Sequence, residues 1–267
     1  MRELVFVGLG LEDENGISIQ GLEEVKSAES VFIELYTNLM PNFSLNNFQN
    51  KSGKQINVLS RYELEEENGK IMLNAAKKGK TVFLVPGDPL IATTHITLRL
   101  EAKKSKIKTR IIHGTSIISA IMGLSGLHNY KFGKTVTIPL PYNFSETPYK
   151  VIIQNKKIGL HTLCLLDINK KKEQFLSIND ALKLLVNIEH QRKQKIITPN
   201  TIAVGLARVG SRTQIIKADH VKQLIEFSFG SPPQSLIFPG KLHFMEAEAL
   251  VAFAGAPKEL KEQRTWA

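Results

Sequence analysis

Thr81-Val82-Phe83-Leu84-Val85-Pro86-Gly87-Asp88-Pro89-Leu90-Ile91-Ala92-Thr93-Thr94-His95 joins a strand-like run to a glycine turn and an expected helix start. Its first five residues are β-branched, aromatic or leucine, the composition of a buried strand, and Pro86-Gly87 stops it. Asp88 is placed to cap a helix whose first turn begins at Pro89, because proline lacks only an N–H that a helix start leaves unpaired. That helix is expected to run to about Lys103. In an open α/β sheet, ligands bind at such carboxyl ends of strands, where glycine admits close backbone approach and a helix start offers free N–H groups. The same residues also suit a plain strand-to-helix turn, and the flanking sequence has to choose between the two.

Upstream, Leu4-Val5-Phe6-Val7 reads as a first buried strand that ends in Gly8-Leu9-Gly10-Leu11. This resembles the opening of a dinucleotide fingerprint, but the third glycine would fall at Asp13, which argues against a nicotinamide or flavin oxidoreductase. Helical spacing over 19–28 and a strand over 30–36 follow, so a parallel pair with a crossover is expected. Residues 37–56 are polar and Asn-rich, a loop or a loose helical excursion; 57–59 is a weak strand and 69–78 a helix. Downstream, Thr109-Arg110-Ile111-Ile112 is another strand, and His113-Gly114-Thr115-Ser116 leads into an apolar helix over 117–124, capped by Thr115 or Ser116. Three strand ends thus carry short glycine turns, at 8–11, 87–91 and 114–117. Their convergence on one rim would make a pocket walled mostly by main chain, suited to an adenosine.

The second half has closely spaced strands: 136–140, a long one over 159–168, 201–206 with the glycine turn Ala207-Arg208-Val209-Gly210-Ser211, 214–216 paired to it, and 235–240. Pro141 to Pro148 reads as a loop. Ser177 caps a helix through Ile188, and 246–254 is a last helix. The expected architecture is α/β with two domains, residues 1–112 with a mostly parallel sheet and crossover helices, and 113–267 with a mixed, mostly antiparallel sheet. Residues 258–267, Trp266 included, read as a frayed tail.

The chain has 267 residues with 42% apolar, and 35 Lys and Arg against 25 Asp and Glu give a net charge of +10. The basic excess sits in runs near 103–108, 170–172 and 192–195, which read as solvated faces or as attraction to an acidic macromolecule. No basic run is interleaved with stacking aromatics, so a direct nucleic-acid module is not expected. No apolar run reaches the ~18 residues of a membrane span, and the start at Met1-Arg2-Glu3-Leu4 has no signal-peptide core; a cytoplasmic protein is expected. The single cysteine, Cys164, lies in an apolar run as a buried inert thiol, which excludes a disulfide framework and a cysteine-based zinc site.

Together, Gly8-Leu9-Gly10-Leu11, Val85-Pro86-Gly87-Asp88-Pro89, Ala92-Thr93-Thr94-His95, His113-Gly114-Thr115-Ser116, Gly159-Leu160-His161-Thr162-Leu163, Ala207-Arg208-Val209-Gly210-Ser211 and Pro239-Gly240-Lys241-Leu242-His243 resemble the diphthine synthases, a family of the tetrapyrrole (corrin/porphyrin) methylase superfamily, in its compact archaeal-like form. The similarity runs from about residue 4 to about 257. It implies two α/β domains with a ligand cleft between them and a homodimer. It implies S-adenosyl-L-methionine as cofactor, with S-adenosyl-L-homocysteine as product, and N-methylation of the amino group of a modified histidine, the diphthamide precursor, on translation elongation factor 2. Carried over position by position, the cofactor contacts are Leu11, Asp88, Ile91, Ser116, Ile117, Leu166, Val209 and Gln234. Gln234 stands where members of the family often have histidine; a main-chain contact survives that difference. The alternatives are a corrin or porphyrin methyltransferase of the same superfamily, and a non-catalytic basic module associated with RNA or the ribosome.

Methyl transfer from a sulfonium to a neutral amine needs orientation more than an activated nucleophile or a metal. Asp88 is the side chain expected to hold the cofactor, and no catalytic residue is assigned. The amine must lose a proton, and His95, His113, His161 and His243 are the titratable groups near the turns.

Overall fold

The computed structural model describes residues 2–262. The chain divides into two compact units, Met1–Ile117 and Ile118–Ala267. The first is built in the order β1 (Glu3–Gly8), α1 (Ile19–Lys26), β2 (Ser30–Ile33), α2 (Leu45–Ser52), β3 (Asn57–Val58), α3 (Lys70–Lys78), β4 (Lys80–Val85), α4 (Ile96–Lys104) and β5 (Lys108–Ile112). Its sheet has the order β3-β2-β4-β1-β5, and every pairing is parallel. β1 is buried along its whole length. The alternation of strand side chains explains why: Leu4, Phe6, Phe83 and Val85 pack with Met72, Ala76, Leu98 and Ala102 of α3 and α4 on one face. Val5, Val7, Val82 and Leu84 pack with Val25 of α1 and Phe48 of α2 on the other. A sheet covered on both sides leaves its central strands no polar face, hence the unbroken apolar runs.

The second unit continues from α5 (Ile117–Ser125) through β6 (Val136–Ile138), α6 (Thr147–Lys157), β7 (Thr162–Leu166), β8 (Ile168–Asn169), β9 (Gln174–Phe175), α7 (Ile178–Arg192), β10 (Ile202–Ala207), β11 (Ile215–His220), α8 (Val221–Glu226), β12 (Gln234–Phe238) and α9 (Phe244–Ala254). Its main sheet has the order β11-β10-β12-β7-β6, antiparallel except for the parallel β6–β7 pair. The core joins Cys164 and Leu236 of the sheet to Tyr149 and Ile152 of α6 and Leu182 and Leu185 of α7. Cys164 is fully buried, and burial pushes its thiol pKa far up.

Several elements differ from the sequence reading. No helix begins at Pro89: α4 starts at Ile96. The Asp88 side chain instead accepts from the Leu90 N–H at 3.0 Å, and the Pro89 carbonyl is engaged by Thr93 Oγ1 at 2.9 Å and the His95 ring at 3.3 Å. Ala92 adopts a left-handed φ of 56°. A helix would give the Pro89 carbonyl to the Thr93 N–H, so these bonds displace it.

α6 spans Thr147–Lys157, where the sequence predicts a loop up to Pro148 and no element beyond it. Pro148 stands in its first turn, the position where proline starts a helix. The long strand expected over 159–168 is only Thr162–Leu166. Of the expected tail, residues 258–261 form a 3₁₀ turn with Leu260 buried; Trp266 lies outside the described residues.

Candidate active site

Within the first unit the three glycine turns meet. β4 and β5 flank β1 on either side, so the chain leaving each must lean over the end of β1 to reach the other. Gly10 and Gly87 exchange backbone hydrogen bonds, Gly10 N–H to Gly87 O at 3.2 Å and Gly87 N–H to Gly10 O at 2.7 Å. A Cβ on Gly8 would lie 2.5 Å from both Gly114 N and Gly87 O, and one on Gly114 would lie 2.3 Å from Gly87 O. No side-chain carbon fits there, so glycine is what lets three backbones touch. At Gly87, whose φ is 72°, the position of a Cβ has nothing within 4 Å. Main chain thus borders open space, the setting for a ligand read by backbone groups.

Asp88 leaves this junction with its side chain 5% exposed. One oxygen holds Leu90 N–H; the other is 2.7 Å from His113 Nδ1. A carboxylate oxygen accepts, so the proton of that bond sits on Nδ1. The His113 ring is 75% exposed. Asp88 and His113 are 25 residues apart and follow strands on opposite sides of β1, and sequence spacing carries no sign of their pairing. Leu11 is buried, Ile91 is an exposed apolar side chain, and Ser116 and Ile117 are half-buried at the third turn.

The other three carried-over residues lie in the second unit, at one end of its sheet. Leu166 ends β7, Gln234 opens β12, and the turn carrying Val209 follows β10; Ala207 pairs with Gln234 and Leu165 with Ser235. Leu166 and Val209 are buried. The Gln234 side chain is engaged at both ends: Oε1 accepts from Ile178 N–H at the start of α7, and Nε2 donates to the Gly230 carbonyl, both at 2.8 Å.

Three of the four histidines have structural partners. His95 is buried against the Phe83 ring, and burial lowers its pKa despite nearby Glu34 and Glu65. His161 is fully buried; its Nδ1 accepts from Gly240 N–H and its Nε2 bonds Glu246 at 2.9 Å. His243 caps α9, its ring accepting from Met245 N–H. Burial alone would raise the Glu246 pKa. Bonds from His161, the His243 and His128 backbones and Lys131 outweigh it and hold the carboxyl well below the ordinary range.

The fold, an all-parallel sheet with a mixed-sheet second unit, has known counterparts. Residues 3–225 match the model of the tetrapyrrole (corrin/porphyrin) methylases; the chain belongs to that family and is a methyltransferase. Its relatives are specific. The diphthine synthase of Methanosarcina mazei is 46% identical over 266 residues, spanning 97% of this chain and 98% of its own. That of Methanosarcina barkeri is 46% identical over 261 residues, spanning 95% and 97%. A crystal structure of diphthine synthase superposes with a TM-score of 0.87 at 41% identity, covering 97% of this chain and 98% of its own.

Proposed function

We propose that this methyltransferase is a diphthine synthase, which uses S-adenosyl-L-methionine to N-methylate the amino group of the diphthamide precursor histidine on translation elongation factor 2. The observation that carries the site is the meeting of three glycine turns beside open space, with a buried carboxylate at its edge. Such a cradle fits a sulfonium nucleoside: backbone groups read the polar edges, Asp88 receives an amino or ribose donor, and Ile91 offers an apolar surface. The contacts proposed for the first unit include Leu11, Ser116 and Ile117. Those proposed for the second are Leu166, Val209 and the main chain of Gln234, whose side chain is engaged by the Ile178 N–H and the Gly230 carbonyl.

The cofactor supplies an activated methyl group. This chain's task is to hold the acceptor nitrogen in line with it, and orientation of that kind lowers a barrier by several kcal/mol, of the ~7–11 available at best. The working unit is a homodimer acting in the cytoplasm on a protein substrate, with neither membrane nor direct nucleic-acid contact. Among the described residues no helix is long and apolar enough to cross a membrane.

The test is mass spectrometry of elongation factor 2 carrying the precursor, after incubation with S-adenosyl-L-methionine and the protein, counting methyl increments. Increments confined to the modified histidine are expected. An unchanged factor, with methyl transfer to a precorrin instead, would replace this reading by its tetrapyrrole alternative.

A further inference from the structure

An amine attacks a methyl group only with a free lone pair, so an acceptor that arrives as an ammonium must first give up a proton. Among the carried-over contacts Asp88 alone carries a proton-accepting group, and both its oxygens are already engaged, by the Leu90 N–H and by His113. His113 lies within the same junction: it is the first residue after β5, next to Gly114, whose backbone touches both Gly8 and Gly87. Its Nδ1 is held by Asp88 at 2.7 Å, and Asp88 is itself fixed by the Leu90 N–H. The bond places a proton on Nδ1, so the neutral ring carries its lone pair on Nε2, and the ring is three-quarters exposed. Among the described residues Nε2 has no protein partner. Asp88 is the titratable group in contact with this ring; the strand end beneath it contributes Gly8-Leu9-Gly10, which titrate nothing.

A buried carboxylate that orients an exposed imidazole, beside the place where the alkyl donor would lie, is the geometry of a general base with its positioning group. We propose that His113 Nε2 takes the proton from the acceptor ammonium, with Asp88 holding the ring in the required tautomer. The step balances. The N–H bond of the ammonium breaks, its electron pair stays on nitrogen, and the proton moves to Nε2. The freed pair forms the new N–C bond as the C–S bond breaks and its electrons return to sulfur, and His113 passes its proton to water. The inference rests on the proposed methyl transfer to an amine.

His113→Asn separates a base from a prop, because the asparagine amide nitrogen can replace the Nδ1 donor toward Asp88 but cannot take up a proton. The variant should bind S-adenosyl-L-homocysteine within about threefold of wild type by calorimetry. Its kcat at neutral pH should fall about 100-fold with an unchanged KM for elongation factor 2, the low end of what a positioned base contributes. The deficit should shrink by about tenfold per pH unit toward alkaline pH, as the amine deprotonates unaided. Independently of turnover, nitrogen chemical shifts of His113 in the wild-type protein should report the Nδ1–H tautomer.

A variant with wild-type kcat and pH profile would reduce His113 to a support for Asp88, and one that loses S-adenosyl-L-homocysteine would move it into the cofactor site; either overturns the proposal, as does an Nε2–H tautomer. A wild-type protein that binds the homocysteine product yet leaves the factor unmethylated fails the proposed function instead.

Discussion

Asp88 has two carboxylate oxygens, one on the Leu90 N–H and one on His113. Losing the first costs the fold about 1 kcal/mol, the net worth of one hydrogen bond. Losing the carboxylate from a backbone-walled site removes its charged side chain. Asp88→Ala should therefore keep its circular dichroism and lose measurable heat on titration with S-adenosyl-L-homocysteine; undiminished binding removes Asp88 from the site. Gly8 tests the junction itself. Its added methyl would meet Gly114 N and Gly87 O at 2.5 Å, and backbone atoms of the turns that follow β4 and β5 cannot rotate away as a side chain would. Gly8→Ala should cost about 1–3 kcal/mol, as overpacking does, and weaken the same titration at least tenfold. Gly123→Ala, where a methyl meets nothing within 4 Å, should do neither. That three strand ends carry glycine is legible in the sequence, and so is the prospect that they meet. The Asp88–His113 bond is not legible, because it depends on two chains leaning over β1 from opposite sides.

Helix starts are legible where a side chain has one backbone partner and ambiguous where it has a choice. Ser177 caps α7 as its position suggests. Asp88 looks the same in sequence, but its oxygen serves a turn while Thr93 and His95 engage the Pro89 carbonyl. α6 was hidden by prolines that read as loop, although Pro148 sits where a helix tolerates it. The start of α9 is more demanding: Glu246, fully buried, is hydrogen-bonded to Lys131, to the His161 ring and to the backbone N–H groups of His128 and His243. Its pKa is lowered in the folded chain, so the unfolded chain binds the extra proton. The stability it contributes is present above its ordinary value of 4.5 and is lost as pH falls below that. Glu246→Gln leaves Lys131 without its charged partner and should cost about 3 kcal/mol at pH 7, typical of breaking a buried pair. Its melting temperature should then vary less than wild type's between pH 5 and pH 3. Parallel pH curves would mean that Glu246 does not set the acid limb.

Each unit has its own sheet and its own core, and the buried groups whose pKa is shifted differ between them. The first unit contains His95, whose pKa is lowered chiefly by burial, with Glu34 and Glu65 opposing. For a base the sign is plain: the folded unit prefers the neutral ring, the unfolded chain takes the proton, and stability present above the ordinary value of 6.5 declines as pH falls through it. In the second unit the shifted carboxyls Glu146, Glu189 and Glu246 are all lowered from 4.5, so their contribution is intact until pH falls below that value. Mild acid should therefore loosen one sheet before the other. Segment-resolved hydrogen exchange, corrected for its intrinsic pH dependence, should show protection of β1 and β4 falling between pH 7 and pH 5, while β10 and β12 hold theirs. Equal loss in both sheets would mean that His95 is not the group responsible. Loss confined to β1 and β4 would tie the glycine junction's rigidity to a neutral imidazole six residues past the Pro89 carbonyl that its ring engages.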